Sequence, residues 1–169
     1  YASLQLERER NRMLPELKAY STMAEFTKGT DASVNKLMNF LRQKDILPVK
    51  DYMEPALRKH IGEYVPEDKR NFFSNISFRE PGVLYSHSTH WFEIARLKEE
   101  AHPSVLRKNA LPYNLWMHRS EGLATFMEET FMHAGLWDDN PRTRELVWIM
   151  LAQRCARGLA SLYAQANMI

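Results

Sequence analysis

Two histidines three positions apart, His87 and His90, are the densest group of potential metal ligands in this sequence. If the segment is helical, the two side chains lie about 60° apart, on the side that also carries Trp91, so both imidazoles are expected to face inward. A buried imidazole needs a partner, because an unsatisfied buried polar group costs about 1–3 kcal/mol. A metal ion is one candidate partner, and backbone carbonyls or carboxylates are the others.

A further candidate ligand is Glu121, in a predicted helix that contains the run Glu-Gly-Leu-Ala. Gly122 indicates close approach of another element, because a glycine inside a helix costs about 1 kcal/mol relative to alanine. The polar face of this helix is predicted to carry Glu121 together with His118, Thr125, Glu128 and Glu129. For Glu128 and Glu129, an ordinary solvated face is the favoured interpretation.

The first part of the chain predicts two long helices. A charged amphipathic helix is expected to run to about residue 26, to be interrupted at Pro15 and to end near Gly29. Asp31 is a good N-cap residue, so a second helix is predicted to start there and to end near Asp45. Its apolar residues share one face, and they are Val34, Leu37, Met38, Phe40 and Leu41.

Shorter elements follow, and long helices close the chain. Helices are predicted over residues 54–64, 86–101, 113–134 and 141–169, with a short one opening at 66–68 and a short extended segment near 75–83. Gly135 suits the left-handed position that ends one helix, and Asn140 followed by Pro141 caps the next. The predicted fold class is therefore all-α, because the extended segment is too short to build a sheet.

Composition and charge limit the classes of protein to consider. With 44% hydrophobic and 26% charged residues over 169 positions, the chain is expected to fold. Residues 1–169 are expected to be a single helical domain or a fragment of a larger helical one. The formal net charge is +2 and charges of both signs are interleaved, so no nucleic-acid partner is expected. No window approaches the about eighteen apolar residues of a spanning helix, so we expect a soluble chain without a membrane span. Oligomeric state and compartment are left open.

Residues 40–167, and most specifically 119–163, resemble the domain-of-unknown-function family 885, whose members are mainly bacterial proteins several hundred residues long. The resemblance rests on four short segments. They are Glu121-Gly122-Leu123-Ala124, Glu128-Glu129, His133-Ala134-Gly135-Leu136 and Asp138-Asp139-Asn140-Pro141. It implies a helical, zincin-like core, here over residues 84–169, and a zinc-dependent hydrolase similar to peptidases of the gluzincin kind.

The family pattern has histidines upstream and completes its metal site with the glutamate of a downstream Glu-Gly-Trp-Ala. Carried over to this chain, Glu121 matches that glutamate, with Leu123 in place of the tryptophan, and His87 and His90 stand for the upstream ligands. Zinc is then the implied cofactor and a peptide-like substrate the implied partner. Ser88 follows His87 where the family has its glutamate, so the general base is unassigned. Glu93 is the nearest replacement, although it lies about 120° from His87 around the predicted helix.

Two other functions stay open. One is a non-catalytic helical binding or scaffold protein that keeps the fold. The other is a di-metal carboxylate bundle, which uses Glu-x-x-His pairs, whereas His90 precedes Glu93 here. Among the remaining candidates, Cys155 is expected to be a small core residue, and His60 and His102 are expected to have surface or cap roles. Core packing between the last two helices is predicted for Trp137 and Trp148.

Overall fold

The structure is a computed structural model that describes residues 2–13, 17–60, 63–105 and 117–168. The chain is 69% helical and no strand occurs in the described ranges, so the predicted all-α fold class is confirmed. The helices are α1 (Ala2–Met13), α2 (Met23–Lys44), α3 (Met53–Arg58), α4 (Phe72–Ser77), α5 (Gly82–Tyr85), α6 (Thr89–Glu99), α7 (Leu123–His133) and α8 (Pro141–Gln165). A 3₁₀ turn, Glu67–Lys69, precedes α4, and a π-helical turn, Met117–Gly122, leads into α7.

Helix α2 starts well before the predicted position. Its N-cap is Thr22, whose hydroxyl accepts a hydrogen bond of 3.2 Å from the backbone N–H of Glu25. The predicted stop at Gly29 and the predicted cap at Asp31 are wrong, because both residues lie inside the helix. Gly29 serves close packing instead, since a Cβ at this position would meet the ring of Tyr20.

Residues 75–77 and 82–83 are helical and a turn joins them, so the extended conformation predicted near residues 75–83 is wrong. The side chain of Asn71 caps α4 by accepting a 2.9 Å hydrogen bond from the backbone N–H of Ser74. Pro81 then leads directly into α5. Apolar residues over so few positions fit a short helix as well as a strand, and here the asparagine cap and the proline favour the helix.

Other boundaries follow the predictions more closely. Asp45 ends α2 in the left-handed region with φ 49°, and Gly135 adopts φ 92° after α7, as expected. Asn140 caps α8 by accepting a hydrogen bond from the backbone N–H of Thr143. Helix α3 is shorter than predicted and ends at Arg58. The predicted interruption at Pro15 and the predicted helix start at residue 113 lie outside the described residues.

One apolar core holds these helices together. The predicted buried face of α2 is confirmed, and α7 and α8 pack against it with a second set of buried side chains. The buried residues of these three helices include Val34, Leu37, Met38, Phe40, Leu41, Phe131, Met132, Leu146, Val147, Met150 and Leu151. Trp137 is buried as predicted and donates a 2.7 Å hydrogen bond to the hydroxyl of Ser86, while Trp148 is partly buried against the core.

The second half of α8 leaves the core. Leu151 is its last buried residue, and Cys155, one turn further on, is exposed, so the prediction of a core cysteine is wrong. The apolar residues beyond this point, Leu159 and Leu162, are exposed as well. Helix α8 ends at Gln165, before Asn167 takes a left-handed conformation with φ 53°. Among the helices that the structure describes, none has both the length and the apolar character needed to cross a bilayer.

Candidate functional site

The structure brings the three predicted ligands together. His87 lies in the turn before α6, His90 lies in the first turn of α6, and Glu121 lies in the π-helical turn before α7. Oε1 of Glu121 is 3.1 Å from Nδ1 of His90, and its Oε2 is 3.7 Å from Nε2 of His87. One carboxylate therefore faces both imidazoles, and α6 and the π-helical turn must pack together to place them.

The π-helical turn decides which side chains point at α6. A π-helical turn contains more residues than an α-helical turn, so it changes the direction of the positions that follow it. Ser120 is buried in this turn, and its hydroxyl oxygen is 2.5 Å from Nδ1 of His90. Gly122 itself is exposed, and the close approach of another element predicted beside Glu121 is provided by α6. The contact with α6 is made by the two residues before it, Ser120 and Glu121.

A fourth polar residue, Glu128, stands behind His87. Its Oε2 is 3.1 Å from Nδ1 of His87 and accepts a hydrogen bond from the guanidinium of Arg154 on α8. The side chain of Glu128 is 0% exposed, so the solvated face predicted for it is wrong. Glu129 is exposed, as predicted. The other oxygen of Glu128, Oε1, is buried and has no hydrogen-bond partner among the described residues.

The burial of Glu128 follows the period of the helix. The buried positions of α7 recur at spacings of three and four, and they are Ala124, Met127, Glu128, Phe131 and Met132. A carboxylate inside such an apolar stripe must have a charged or hydrogen-bonding partner, because burial of an unpaired charge is strongly unfavourable. The polar face predicted for this helix included Glu128, so its burial was missed.

The two ring nitrogens of His87 have different surroundings. Nδ1 lies next to Glu128, so a proton on Nδ1 is donated to that carboxylate and leaves a lone pair on Nε2. Nε2 faces Glu121 across 3.7 Å, which is longer than a hydrogen bond. A carboxylate on the far nitrogen is the arrangement that orients metal-binding histidines. His87 therefore has the setting of a ligand, with Glu128 fixing its ring.

His90 has a different set of neighbours. Its Nδ1 is shared between the hydroxyl of Ser120 and the carboxylate of Glu121. Its ring lies 6.4 Å from the ring of His87, centroid to centroid, with 26° between the planes. The side chains of His87 and His90 are 21% and 23% exposed, so the cluster is open to solvent on one side.

Glu93, the candidate general base, is held by another residue. The guanidinium of Arg96 donates two hydrogen bonds to its carboxylate, of 2.8 and 2.9 Å. The pair lies near Tyr52, whose pKa is raised first by burial and then by the neighbouring charge of Glu100. Both oxygens of this carboxylate are occupied by Arg96, so the setting does not favour general-base catalysis by Glu93.

The remaining histidines lie in separate places. His102 accepts a 3.0 Å hydrogen bond from the backbone N–H of Ser104, two residues further on, and the side chain of His118 lies outside the described residues. His60 is exposed and stacks on Trp91. The pair of Glu129 and His133, considered for a di-metal bundle, is on the surface with side chains 56% and 68% exposed.

Within the described residues, no three histidine, cysteine, aspartate or glutamate side chains are already arranged as a metal-binding group, and Glu121 instead pairs directly with the imidazoles. Comparison of the chain with protein-family models, with curated proteins and with solved structures gives no match. The resemblance carried by residues 119–163 therefore stays a prediction.

Proposed function

We propose that His87, His90 and Glu121 hold a zinc ion and that the protein is a metal-dependent hydrolase acting on peptide-type bonds, akin to domain-of-unknown-function family 885. The observation that carries the proposal is the convergence of both imidazoles on one carboxylate. Buried Glu128 behind His87 supports it, because this contact orients the ring as in known histidine ligands.

The chemistry of the donor set fits zinc. Two imidazoles and one carboxylate are a ligand set of catalytic zinc sites, which keep one position open for water. The 3.7 Å between Nε2 of His87 and Oε2 of Glu121 is near the spacing of about 3.3 Å expected between two ligand atoms at a tetrahedral zinc ion. Binding of the ion would replace the direct contacts of Glu121 with the two imidazoles.

The roles of the protein's own residues follow from their contacts. When bound, zinc supplies the Lewis acidity that lowers the pKa of a bound water to about 7. Glu128 orients His87 and keeps its Nε2 available, while Arg154 balances the buried charge of Glu128. The hydroxyl of Ser120 lies against Nδ1 of His90, the same nitrogen that faces Glu121, so this contact would have to open for Nδ1 to take the ion. The open side of the cluster is where a substrate carbonyl would approach.

Metal content tests the proposal. The purified 169-residue chain is equilibrated with zinc, passed through a desalting column and analysed by mass spectrometry, with circular dichroism to confirm that each variant is folded. We expect about one zinc per chain, and occupancy reduced at least about tenfold in His90→Ala and in Glu121→Ala, because each loses a ligand. The exposed His133 is the matched control, and His133→Ala should keep its zinc. Unchanged occupancy in both ligand variants would refute the assignment, and about two iron or manganese ions per chain would indicate the di-metal bundle instead.

A second candidate function, a non-catalytic helical binding or scaffold protein, is favoured by one specific observation. The polar groups of the cluster already contact one another within the protein, since Arg154 pairs with Glu128 and Glu121 faces both imidazoles. If this function is correct, the wild-type chain should contain no more zinc than the Glu121→Ala variant, and the His133→Ala variant should contain the same amount. The cluster would then contribute to folding alone.

A further inference from the structure

A groove with aromatic walls opens beside the candidate site. Its volume is about 530 Å³, which is within the range of pockets that bind small ligands. It lies between α2, His60, residues 63–65 and helices α4 to α6. The aromatic side chains that line it are Phe26, His60, Phe73, Phe78, Tyr85 and Trp91.

Trp91 connects this groove to the histidine cluster. The ring of His60 stacks on Trp91 at 5.0 Å between centroids, with 20° between the planes. His90, which precedes Trp91 on α6, meets the same indole edge to face at 6.3 Å. Burial, and then the neighbouring His90, hold the pKa of His60 below its ordinary value. Trp91 is therefore both a lining residue of the groove and a neighbour of the candidate ligand His90.

The walls of the groove favour an apolar group. Phe78 is 2% exposed and forms part of its floor, whereas Phe73 is 59% exposed at its surface. A phenylalanine exposed at the edge of an aromatic groove offers apolar surface that a bound group can cover. Among the described lining residues, Glu63 is the only one with a formal charge at neutral pH. The guanidinium of Arg70 lies 4.3 Å over the ring of the lining residue Phe78, but it donates hydrogen bonds to the carbonyls of Val65 and Tyr20.

We propose that this groove binds an apolar or aromatic side chain of a peptide-type substrate, whose hydrolysed bond then lies at His87, His90 and Glu121. The inference rests on the proposed function, and it adds a substrate class to it. The contact of Trp91 with His90 carries the connection: the backbone of a side chain that is bound against Trp91 would lie near the cluster. Stacking on aromatic walls selects phenylalanine-like groups over small or acidic ones.

The test measures binding to the metal-free chain, so that it does not depend on zinc. N-acetyl-phenylalanine amide, N-acetyl-alanine amide and N-acetyl-glutamate amide are titrated separately into the 169-residue chain, followed by NMR chemical shifts. We expect the phenylalanine amide to bind at least about tenfold more tightly than the other two, and the ring signals of His60 and His90 to shift during that titration.

Two groove variants and one control complete the experiment. Phe73→Ala should weaken binding of the phenylalanine amide roughly fivefold, because one aromatic contact is removed. Ser77→Trp should fill the groove and abolish binding. Phe126, which is 63% exposed on α7 and does not line the groove, is the matched control, so Phe126→Ala should bind like the wild type.

The outcomes separate the two proposals. Equal affinity for the phenylalanine and alanine amides would refute the groove assignment, and so would groove variants that behave like Phe126→Ala. Selective binding without any shift of the His90 ring would refute its connection to the cluster. Selective binding in a chain that takes up no zinc would leave the groove in place and remove the hydrolase proposal instead.

Discussion

The ion pair between Arg154 on α8 and Glu128 on α7 supports His87, and replacing Arg154 measures how much it contributes. The Arg154→Met variant keeps an unbranched apolar stem and removes the guanidinium. Glu128 would then retain a charge at a position that is 0% exposed, with His87 as its remaining partner. Its Oε1 already has no hydrogen-bond partner among the described residues, so the protein has little means of compensating.

The structure gives the magnitude of the effect. Removing one partner of a buried ion pair destabilises a protein by about 3–5 kcal/mol. Because the side chain of Arg154 is 24% exposed, water can approach the vacated position, and we expect the lower end, about 3 kcal/mol. With a urea dependence of about 2 kcal/mol per molar, this loss moves the unfolding midpoint down by roughly 1.5 M. Replacing both partners, in Glu128→Leu with Arg154→Met, leaves no unpaired charge, so the double variant should recover about 2 kcal/mol relative to the sum of the single effects.

Urea unfolding followed by circular dichroism measures these free energies for the wild type, both single variants and the double variant. Arg157 is the matched control, because it is exposed and lies on the same helix. Arg157→Met should change the free energy of unfolding by less than about 0.5 kcal/mol. The reasoning is refuted if Arg154→Met is no more destabilising than Arg157→Met, or if the two single effects simply add.

Two further predictions concern the scaffold around the site. Alanine normally stabilises a helix interior relative to glycine by about 1 kcal/mol, but Gly29→Ala should lower the thermal midpoint because its Cβ meets the ring of Tyr20. In a Tyr20→Ala background the same substitution should raise the midpoint. An increase in both backgrounds would contradict the packing argument. Burial raises the pKa of Glu80, so its contribution to stability is present below about pH 4.5, the ordinary value, and is lost as pH rises through the raised pKa. Thermal midpoints measured between pH 4 and pH 7 should therefore show this decline in the wild type and not in Glu80→Gln. The same pH dependence of the midpoint in both proteins would contradict the prediction.

Local patterns in the sequence were sufficient for the fold class and for much of the core. The apolar residues of α2 repeat with the helical period, and this repeat alone identified Val34, Leu37 and Leu41 as buried. Gly135 and Asn140 likewise predicted a helix end and a helix start, because their preferences depend on backbone geometry close by. Such features need no knowledge of distant residues.

The start of α2 shows where local patterns were insufficient. Thr22 and Asp31 are both good N-cap residues, so the sequence offered two starts. The earlier one is used because Phe26, in the added turns, is buried and stacks on Phe78 with ring centroids 4.1 Å apart. Gly29 is tolerated in the same turns because Tyr20 packs against it. Contacts between separate segments therefore chose between two locally acceptable helices.

The candidate site was also predictable from the sequence only in part. Residue types and spacing identified His87, His90 and Glu121, but their convergence depends on how α6 packs against the π-helical turn. The burial of Glu128 could be found from the helical period of α7, whereas its partner Arg154 is 26 positions away on another helix. A sequence pattern repeats along one helix and carries no information about which side chain of a neighbouring helix it will meet. That pairing is decided by the packing of α7 against α8, so only the tertiary structure supplies it.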